Sequence, residues 1–183
     1  MIAIHPSEPI PDPLLEQPGF SVPADLEARI DELVTHYPQK RSASLMLLHA
    51  VQEQFGYISR QAVEWIAAKL SLQPINVFEL VTFYPMLQQR PVGKYHLRIC
   101  RTLSCALAGS QDLHGHLCRK LKLDPDVHGP QTTSDGQFTL EYVECLANCA
   151  TGPVMMCNEA FHERVSPSRG DELVTDCAKQ SRR

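Results

Sequence analysis

The amino-acid sequence predicts an α/β chain in which a small N-terminal helical bundle precedes a small α/β domain. Apolar residues recur at helical spacing from about residue 24 to residue 84. After Pro91 the pattern changes to an alternation of apolar and polar residues, which is typical of strands. The length of 183 residues suits one or two compact domains.

Residues 1–23 are predicted to be a proline-rich N-terminal arm. They hold six of the fourteen prolines and a single aromatic residue, Phe20. A segment with so few large apolar side chains cannot bury enough surface to fold by itself. We expect this arm either to be disordered or to become ordered as an extended strap on a partner.

Four short helices are predicted within residues 24–90. Ser42 or Ser44 is positioned to cap the second helix, and Ser59 is positioned to cap the third. Pro74 suits the first turn of the fourth helix. Short helices joined by short turns favour a small helical domain, and nothing in it indicates catalysis.

Residues 91–183 are predicted to form strand, helix, strand, hairpin and helix in that order. The first three elements make a βαβ unit, whose two strands are expected to run parallel. The whole order fits a thioredoxin-like layer domain, although a likeness of fold implies no function. The predicted elements are strands at 95–100, 138–143, 154–157 and 161–165, a helix capped by Ser110 and a last helix opened by Ser166 and Pro167.

The charge balance excludes two classes of partner. With 17 basic and 21 acidic residues, the formal charge is −4, so there is no basic footprint for nucleic acid or an anionic membrane surface. No apolar run approaches the roughly 18 residues of a membrane span, and the N-terminus does not resemble a targeting segment. We expect a chain of a reducing compartment, in which cysteines serve as metal ligands or free thiols.

Four of the seven cysteines occur as two pairs. Four residues separate Cys100 from Cys105, and three residues separate Cys145 from Cys149. Each pair lies at or just after the end of one of the two predicted parallel strands, and such ends emerge at the same edge of a sheet. The sequence therefore predicts that two distant loops present four thiolates to one another.

The spacing of these thiolates bears on which metal they would hold. Zinc knuckles usually have the spacing Cys-x2-Cys, Rieske centres need two histidines, and plant ferredoxins have a third cysteine that is absent here. Two separate pairs suit a [2Fe–2S] rhomb, in which each iron takes two cysteines, and soft thiolates favour iron–sulfur chemistry. The spacing only permits this cluster, so a structural zinc or a thiol-only interaction module remains the alternative from a different class.

The remaining candidate residues have simpler interpretations. The three other cysteines are most simply small core residues, and the two histidines of the helical region are structural or lie at the surface. No dinucleotide-binding, phosphate-loop or nucleophile-elbow motif occurs, so we expect this chain to bind no NAD, flavin or nucleotide itself and to carry no catalytic residue. The three cysteines are Cys118, Cys157 and Cys177, and the two histidines are His36 and His49.

Charged residues near the cysteine pairs would tune a bound cluster. Glu141 and Glu144 add negative charge and would lower its reduction potential, whereas Arg101 and backbone N–H groups would raise it. The chemistry implied is one-electron relay with no general acid or base.

Several motifs together resemble the small thioredoxin-like [2Fe–2S] subunit of complex I, the E subunit of bacterial NADH:quinone oxidoreductase. The likeness runs from about residue 24 to residue 177 and includes the helical domain. Its combination of motifs is far more specific than the cysteines alone. The motifs are Thr82-Phe83-Tyr84-Pro85, Pro91-Val-Gly-Lys-Tyr-His96, Cys-x4-Cys at 100–105, Val143-Glu-Cys-Leu-Ala-Asn-Cys149 and Gly152-Pro153.

The resemblance implies one [2Fe–2S] cluster, with Cys100, Cys105, Cys145 and Cys149 as its ligands. It also implies a heterodimer with the flavin-bearing F subunit, which holds FMN and NADH and exchanges single electrons with the cluster. The expected location is the cytoplasmic side of the inner membrane, reached through the respiratory complex and without membrane insertion. The same module occurs in NAD-dependent formate dehydrogenases and hydrogenases, which is the alternative within this class. The family often has glycine where Ala147 stands.

Overall fold

The computed structural model describes residues 14–127 and 129–180, which form two compact units divided between Pro91 and Val92. Each unit has a hydrophobic core of its own. The first unit is helical and the second combines helices with a sheet, as the sequence predicts. Within these residues, no helix is both long and apolar enough to cross a membrane.

The predicted arm lies partly outside the described residues, which begin at Leu14. From there onward it packs against the helical unit. Leu14 is 7% exposed and belongs to the core, and the ring of Phe20 lies 4.9 Å from that of Phe55. The backbone N–H of Arg60 donates a hydrogen bond to the carbonyl of Leu15 at 3.0 Å. This part of the arm is therefore ordered by the chain's own helices, because its few apolar side chains find a place in their core.

The helical unit contains the four predicted helices. Their buried residues form one continuous core, which explains why helices of only 10 to 12 residues are stable here. A short 3-10 helix, which the sequence did not predict, precedes the second. The helices are α1 (Ala24–Thr35), α2 (Ser44–Phe55), α3 (Arg60–Leu70) and α4 (Pro74–Phe83), and the 3-10 helix is Lys40–Ala43.

The predicted cap of α2 is wrong. Ala43 occupies the capping position, because the 3-10 helix runs directly into α2. Ser44 is already helical, and its hydroxyl donates to the carbonyl of Arg41 at 2.7 Å. Ser42 makes no side-chain cap either.

Ser59, in contrast, caps α3 as predicted. Its hydroxyl oxygen accepts a hydrogen bond of 3.2 Å from the backbone N–H of Ala62, and the side chain is fully buried. The cap satisfies one of the donors that the first turn of a helix leaves without an intrahelical partner.

We expect Ser59→Ala to lower the free energy of unfolding of the helical unit by about 1 kcal/mol, because the N–H of Ala62 loses its acceptor. Trp65 is the only tryptophan of the chain and lies on α3, so its fluorescence during urea denaturation measures the change. The exposed Ser42 provides the control, and Ser42→Ala should stay within about 0.5 kcal/mol of the unsubstituted protein. Equal destabilisation by both substitutions would contradict the capping role.

The second unit contains the predicted elements and three further short ones. Ser110 begins its helix rather than capping it, because Gly109 precedes it in a left-handed conformation (φ 99°). The elements are β1 (Tyr95–Cys100), α5 (Leu103–Leu107), α6 (Ser110–Leu121), β2 (Gln131–Thr132), β3 (Phe138–Val143), a 3-10 helix (Cys149–Thr151), β4 (Met155–Cys157), β5 (Ala160–His162) and α7 (Pro167–Gln180). The helix α5, the strand β2 and the 3-10 helix were not predicted, since all three are too short to show a period.

The described strands form one mixed sheet with the order β2-β3-β1-β4-β5. β1 and β3 are parallel, as predicted, and the other neighbouring pairs are antiparallel. The parallel register runs from Tyr95 opposite Phe138 to Cys100 opposite Val143. The carboxyl ends of β1 and β3 therefore lie side by side.

One face of this sheet carries the core of the second unit. Alternate residues of the strands pack there against α6 and α7. Gly170 permits the close approach of the two helices, because a Cβ at this position would lie 2.9 Å from Leu113 Cδ1. The other residues of β1 and β3 lie on the opposite face of the sheet, away from this core. Among them, His96 Nε2 lies 2.6 Å from Glu141 Oε1.

Candidate metal centre

Cys100 and Cys105 form a buried pair of thiols at the carboxyl end of β1. Cys100 is the last residue of β1, and Cys105 lies within α5, so both side chains are positioned by regular structure. Each is 1% exposed, and they share a small apolar cluster with Val154, against which Leu146 packs. The two thiols lie close enough for each to affect the pKa of the other.

Cys145 and Cys149 form an exposed pair on the loop that follows β3. Cys145 comes two residues after the end of β3, and Cys149 begins the 3-10 helix. Cys149 lies close enough to Cys105 for the charge of one thiolate to act on the other.

The strand register brings the two pairs to the same edge of the sheet. Cys100 is opposite Val143, and the next backbone N–H, that of Arg101, donates to the carbonyl of Val143 at 3.0 Å. The four thiols thus come to one edge as a buried pair and an exposed pair. Among residues 14–127 and 129–180, no three histidine, cysteine, aspartate or glutamate side chains are arranged to hold a single metal ion.

Hydrogen bonds to sulfur favour the thiolate form of Cys100. Burial opposes its ionisation, but a donor from the Thr102 side chain, the backbone N–H groups of Leu146 and Thr102, and the Cys105 thiol together outweigh burial, so the pKa of Cys100 lies below its usual value. The Thr102 hydroxyl is 3.2 Å from Cys100 Sγ. Cys100 is therefore prepared to act as an anionic ligand.

Burial dominates at Cys105 and raises the pKa of its thiol. A hydrogen bond from the backbone N–H of Val154 acts in the opposite direction, while the negative charges of Cys100 and Cys149 raise the pKa further. Like charges resist being gathered in a buried site unless a cation compensates them. The cluster of thiols therefore favours a bound positive charge.

The loop of Cys145 has a tight local conformation. The backbone N–H of Ala147 donates to Cys145 Sγ at 3.2 Å, and Ala147 itself is left-handed with φ 59°. This conformation is uncommon for a residue with a Cβ and suits glycine, which the resembling family often has here. The turn aims a backbone donor at the sulfur of Cys145.

The acidic residues near the site are paired. Arg101 forms a salt bridge with Glu144, in which Arg101 Nε donates to Glu144 Oε1 at 2.9 Å. Glu141 is paired with His96 on the face of the sheet opposite the core. The positive charge of Arg101 consequently makes the predicted repulsion of Glu144 against an added electron smaller than the charge of Glu144 alone suggests.

Three contributors to the site were not predicted as such. Thr102 and the backbone N–H of Leu146 act on Cys100, and Gly152 lies beside Cys105 and Ala108, where a Cβ would come within 3.3 Å of Ala108 Cβ. The Gly152-Pro153 pair is visible in the sequence as a motif. The backbone donors carry no sequence signal, since every residue except proline has one.

The three other cysteines lie away from this edge, as predicted. Cys118 is fully buried in α6, with its sulfur 3.7 Å from the ring nitrogens of His114. Cys157 and Cys177 are core residues of β4 and α7, but their sulfur atoms are in contact at 3.5 Å, which the sequence did not predict.

The donor set fits a [2Fe–2S] cluster. All four thiols are free, they arrive as two pairs, and hydrogen-bond donors already point at the sulfur atoms of Cys100 and Cys145. The family model of the thioredoxin-like [2Fe-2S] ferredoxins matches residues 30–178. The chain belongs to this family.

Relatives of this thioredoxin-like [2Fe-2S] ferredoxin cover most of its length. The E 2 subunit of NADH-quinone oxidoreductase from Rhizobium meliloti (strain 1021) is 34% identical over 149 residues, which are 81% of this chain and 86% of the relative. Subunit 2 of NADH-quinone oxidoreductase from Thermus thermophilus is 37% identical over 153 residues, 82% of each chain. The E subunit of NADH-quinone oxidoreductase from Mycobacterium tuberculosis is 35% identical over 84% of this chain, which spans 61% of that relative.

Solved structures show the same fold in a larger protein. The NAD+-reducing [NiFe]-hydrogenase in the air-oxidized state matches with a TM-score of 0.63 at 22% identity, over 75% of this chain and 23% of the hydrogenase chain. The H2-reduced state matches with a TM-score of 0.60 at 24% identity, over 73% of this chain and 22% of that chain. At these identities the likeness concerns the fold alone.

These comparisons confirm the predicted family and fold class, namely a helical region followed by a thioredoxin-like [2Fe–2S] ferredoxin domain. The relatives are named subunits of an oxidoreductase that acts on NADH and quinone. The assignment of individual cysteines as ligands stays a prediction.

Proposed function

We propose that this chain is the [2Fe–2S] electron-transfer subunit of an NADH:quinone oxidoreductase, complex I. Its ligands are Cys100, Cys105, Cys145 and Cys149, two on each of the loops that follow β1 and β3. In this proposal residues 91–183 form the cluster domain and residues 24–90 a separate helical domain.

The observation that carries the proposal is the strand register. Cys100 is opposite Val143 on adjacent parallel strands, so two cysteine loops that lie 39 residues apart in the sequence begin at neighbouring points. The family to which the chain belongs is described by its [2Fe–2S] cluster. A bound [2Fe–2S] cluster supplies one-electron oxidation and reduction.

The residues of this chain would hold the cluster and adjust its charge. The backbone N–H of Ala147 donates to Cys145 Sγ, the Thr102 hydroxyl lies 3.2 Å from Cys100 Sγ, and the backbone N–H of Leu146 also lowers the pKa of Cys100. Donors to sulfur stabilise the more negative, reduced state and so raise the reduction potential. Cys145 and Cys149 are exposed, so in this proposal an electron would enter or leave the cluster on the side of these two cysteines.

The partner in this proposal is the flavin- and NADH-binding F subunit. FMN and NADH are assigned to that partner, as the resemblance implies, and this sequence contains neither a dinucleotide fingerprint nor a phosphate-binding loop. The chain would form a heterodimer with it and join the membrane-bound complex as a peripheral subunit on the cytoplasmic side. Relatives 34% and 37% identical carry the name of this oxidoreductase.

Metal analysis of the full-length chain, purified without oxygen, tests the cluster. We expect a red-brown protein with about two irons and two labile sulfides per chain, since each iron takes two of the four cysteines. The reduced protein should give the electron paramagnetic resonance signal of a one-electron-reduced [2Fe–2S] cluster. A colourless chain with one zinc, or with neither metal nor sulfide, would contradict the proposal in favour of a structural site.

Co-purification from the source cell tests the assembly. Complex I predicts a flavoprotein together with membrane-embedded chains and no molybdenum or nickel. A molybdenum-containing or nickel-containing subunit would instead identify a formate dehydrogenase or a hydrogenase. Those outcomes retain the cluster and change only the complex.

A further inference from the structure

Two thiols that the proposed cluster site does not use lie in contact with each other. Cys157 Sγ on β4 and Cys177 Sγ on α7 are 3.5 Å apart, and both cysteines are free. The sulfur atoms of a disulfide are about 2.05 Å apart, so a small change of side-chain torsion would bring these two to bonding distance. The contact joins a helix to the sheet at a point where no other covalent link exists among the described residues.

We propose that Cys157 and Cys177 are a redox-active dithiol, which a low-molecular-weight disulfide oxidises to an intramolecular disulfide and a small thiol reduces again.

The two thiols differ in access, and this difference sets the order of events. Cys157 is buried in the core of the second unit, where it is opposite Leu97 of β1 and Ala160 of β5. Cys177 is half-buried at the border of the same core. A dissolved disulfide therefore reaches Cys177 first.

The protonation of Cys157 agrees with this order. Burial, and then the hydrogen bond and charge of Cys177, raise the pKa of the Cys157 thiol to about 12. Cys157 consequently stays protonated and unreactive toward reagents in solution. Cys157 becomes the second nucleophile only after Cys177 has formed a mixed disulfide with the small reagent. Its attack on Cys177 Sγ is then intramolecular.

The exchange balances in two steps. The Cys177 thiolate attacks one sulfur of the small disulfide, so that a sulfur–sulfur bond to Cys177 forms, the bond within the reagent breaks, and one small thiolate leaves. Cys157 then attacks Cys177 Sγ, the bond between the two protein sulfurs forms, and the second small thiolate leaves. Two electrons pass from the protein thiols to the reagent, and their two protons end on the two small thiols.

The disulfide would fix the last turns of α7 to the sheet. The first half of α7 is already held to α6, because Asp171 is paired with His116 at 3.0 Å and with Lys120 at 2.9 Å. The new bond would close a loop between residues 20 apart in the sequence. A loop of this length should lower the population of the opened helix by up to roughly a hundred-fold, which amide hydrogen exchange in α7 measures.

The test uses the full chain with its cluster bound. It is incubated without oxygen with glutathione disulfide, quenched in acid, alkylated and digested for mass spectrometry. We expect one peptide pair joined through Cys157 and Cys177, which dithiothreitol separates, while the visible absorption of the cluster is unchanged. Cys118 is also buried, more completely than Cys157, and contacts His114 rather than a thiol, so it should remain a free thiol throughout.

Two variants separate the proposed dithiol from a mere thiol contact. Cys157→Ser should stop at the first step and retain one glutathione on Cys177. Cys177→Ser should take up none, because the buried Cys157 is not reached. The proposal is overturned if both thiols persist in the unsubstituted chain under excess glutathione disulfide, or if Cys177→Ser takes up glutathione as readily as Cys157→Ser.

Discussion

Replacing Cys145 by serine should remove the iron and sulfide from the chain and leave its fold intact. An alkoxide is a poorer ligand than a thiolate for the iron of such a cluster, so we expect the iron that Cys145 would hold to be lost during purification. Iron and labile sulfide should fall from about two of each per chain to near none, together with the visible absorption and the electron paramagnetic resonance signal. Colorimetric metal and sulfide assays on protein purified without oxygen measure the loss.

Cys145 is the informative position because its side chain is exposed, whereas Cys100 and Cys105 are buried and their substitution would also disturb packing. Cys118→Ser provides the matched control. The new hydroxyl would lie beside the ring nitrogens of His114, which now lie 3.7 Å from the thiol, and the cluster content should not change. A normal spectrum in Cys145→Ser, or equal loss in both variants, would refute the assignment of Cys145 as a ligand.

The substitution Gly93→Ala should destabilise the second unit by about 2–3 kcal/mol. A Cβ at Gly93 would lie 2.8 Å from the carbonyl carbon of Phe138 and 2.9 Å from its nitrogen. No rotation of a side chain relieves a clash with backbone atoms, so the chain before β1 must move away from β3. That movement would also break the hydrogen bond of 2.6 Å from the Gly93 N–H to Thr139 Oγ1.

Amide hydrogen exchange in β1 and β3 measures this effect within the second unit alone. Gly115→Ala is the matched control, because Gly115 lies inside α6 and a Cβ there would meet only Arg119 Nη1 at 3.6 Å. Alanine is the better helix former, so this control should raise stability by up to about 1 kcal/mol. If the two substitutions changed stability to a similar extent, the close approach of Gly93 to Phe138 would not be the reason that this position requires glycine.

The sequence was sufficient to predict the elements that carry a clear period. The four helices of the first unit each bury one face, and the alternation in 95–100 and 138–143 corresponds to two strands with one face in the core. Parallel pairing of these strands followed from the helix between them, and it led directly to the meeting of the two cysteine loops.

Features that depend on tertiary contacts or on single turns could not be predicted in this way. Helix α5 has 5 residues, which is less than two turns, so its apolar positions show no repeat. Phe20 lies in a proline-rich segment with little to bury by itself, and its order depends on Phe55, a residue of α2. The contact of Cys157 with Cys177 depends in the same manner on how α7 lies against the sheet.

The pairing of Cys100 with Val143 also determines where this chain tolerates changes of length. The starting points of both cysteine loops are fixed by the ladder between β1 and β3 rather than by the segment that connects α6 to β3. Residues can therefore be inserted into the part of that segment between α6 and β2, or deleted from it, while the two loops keep their starting points. A single residue added within 100–105 or 143–149 would displace a thiol directly. Related chains are expected to differ in length in the first region and to agree in the other two.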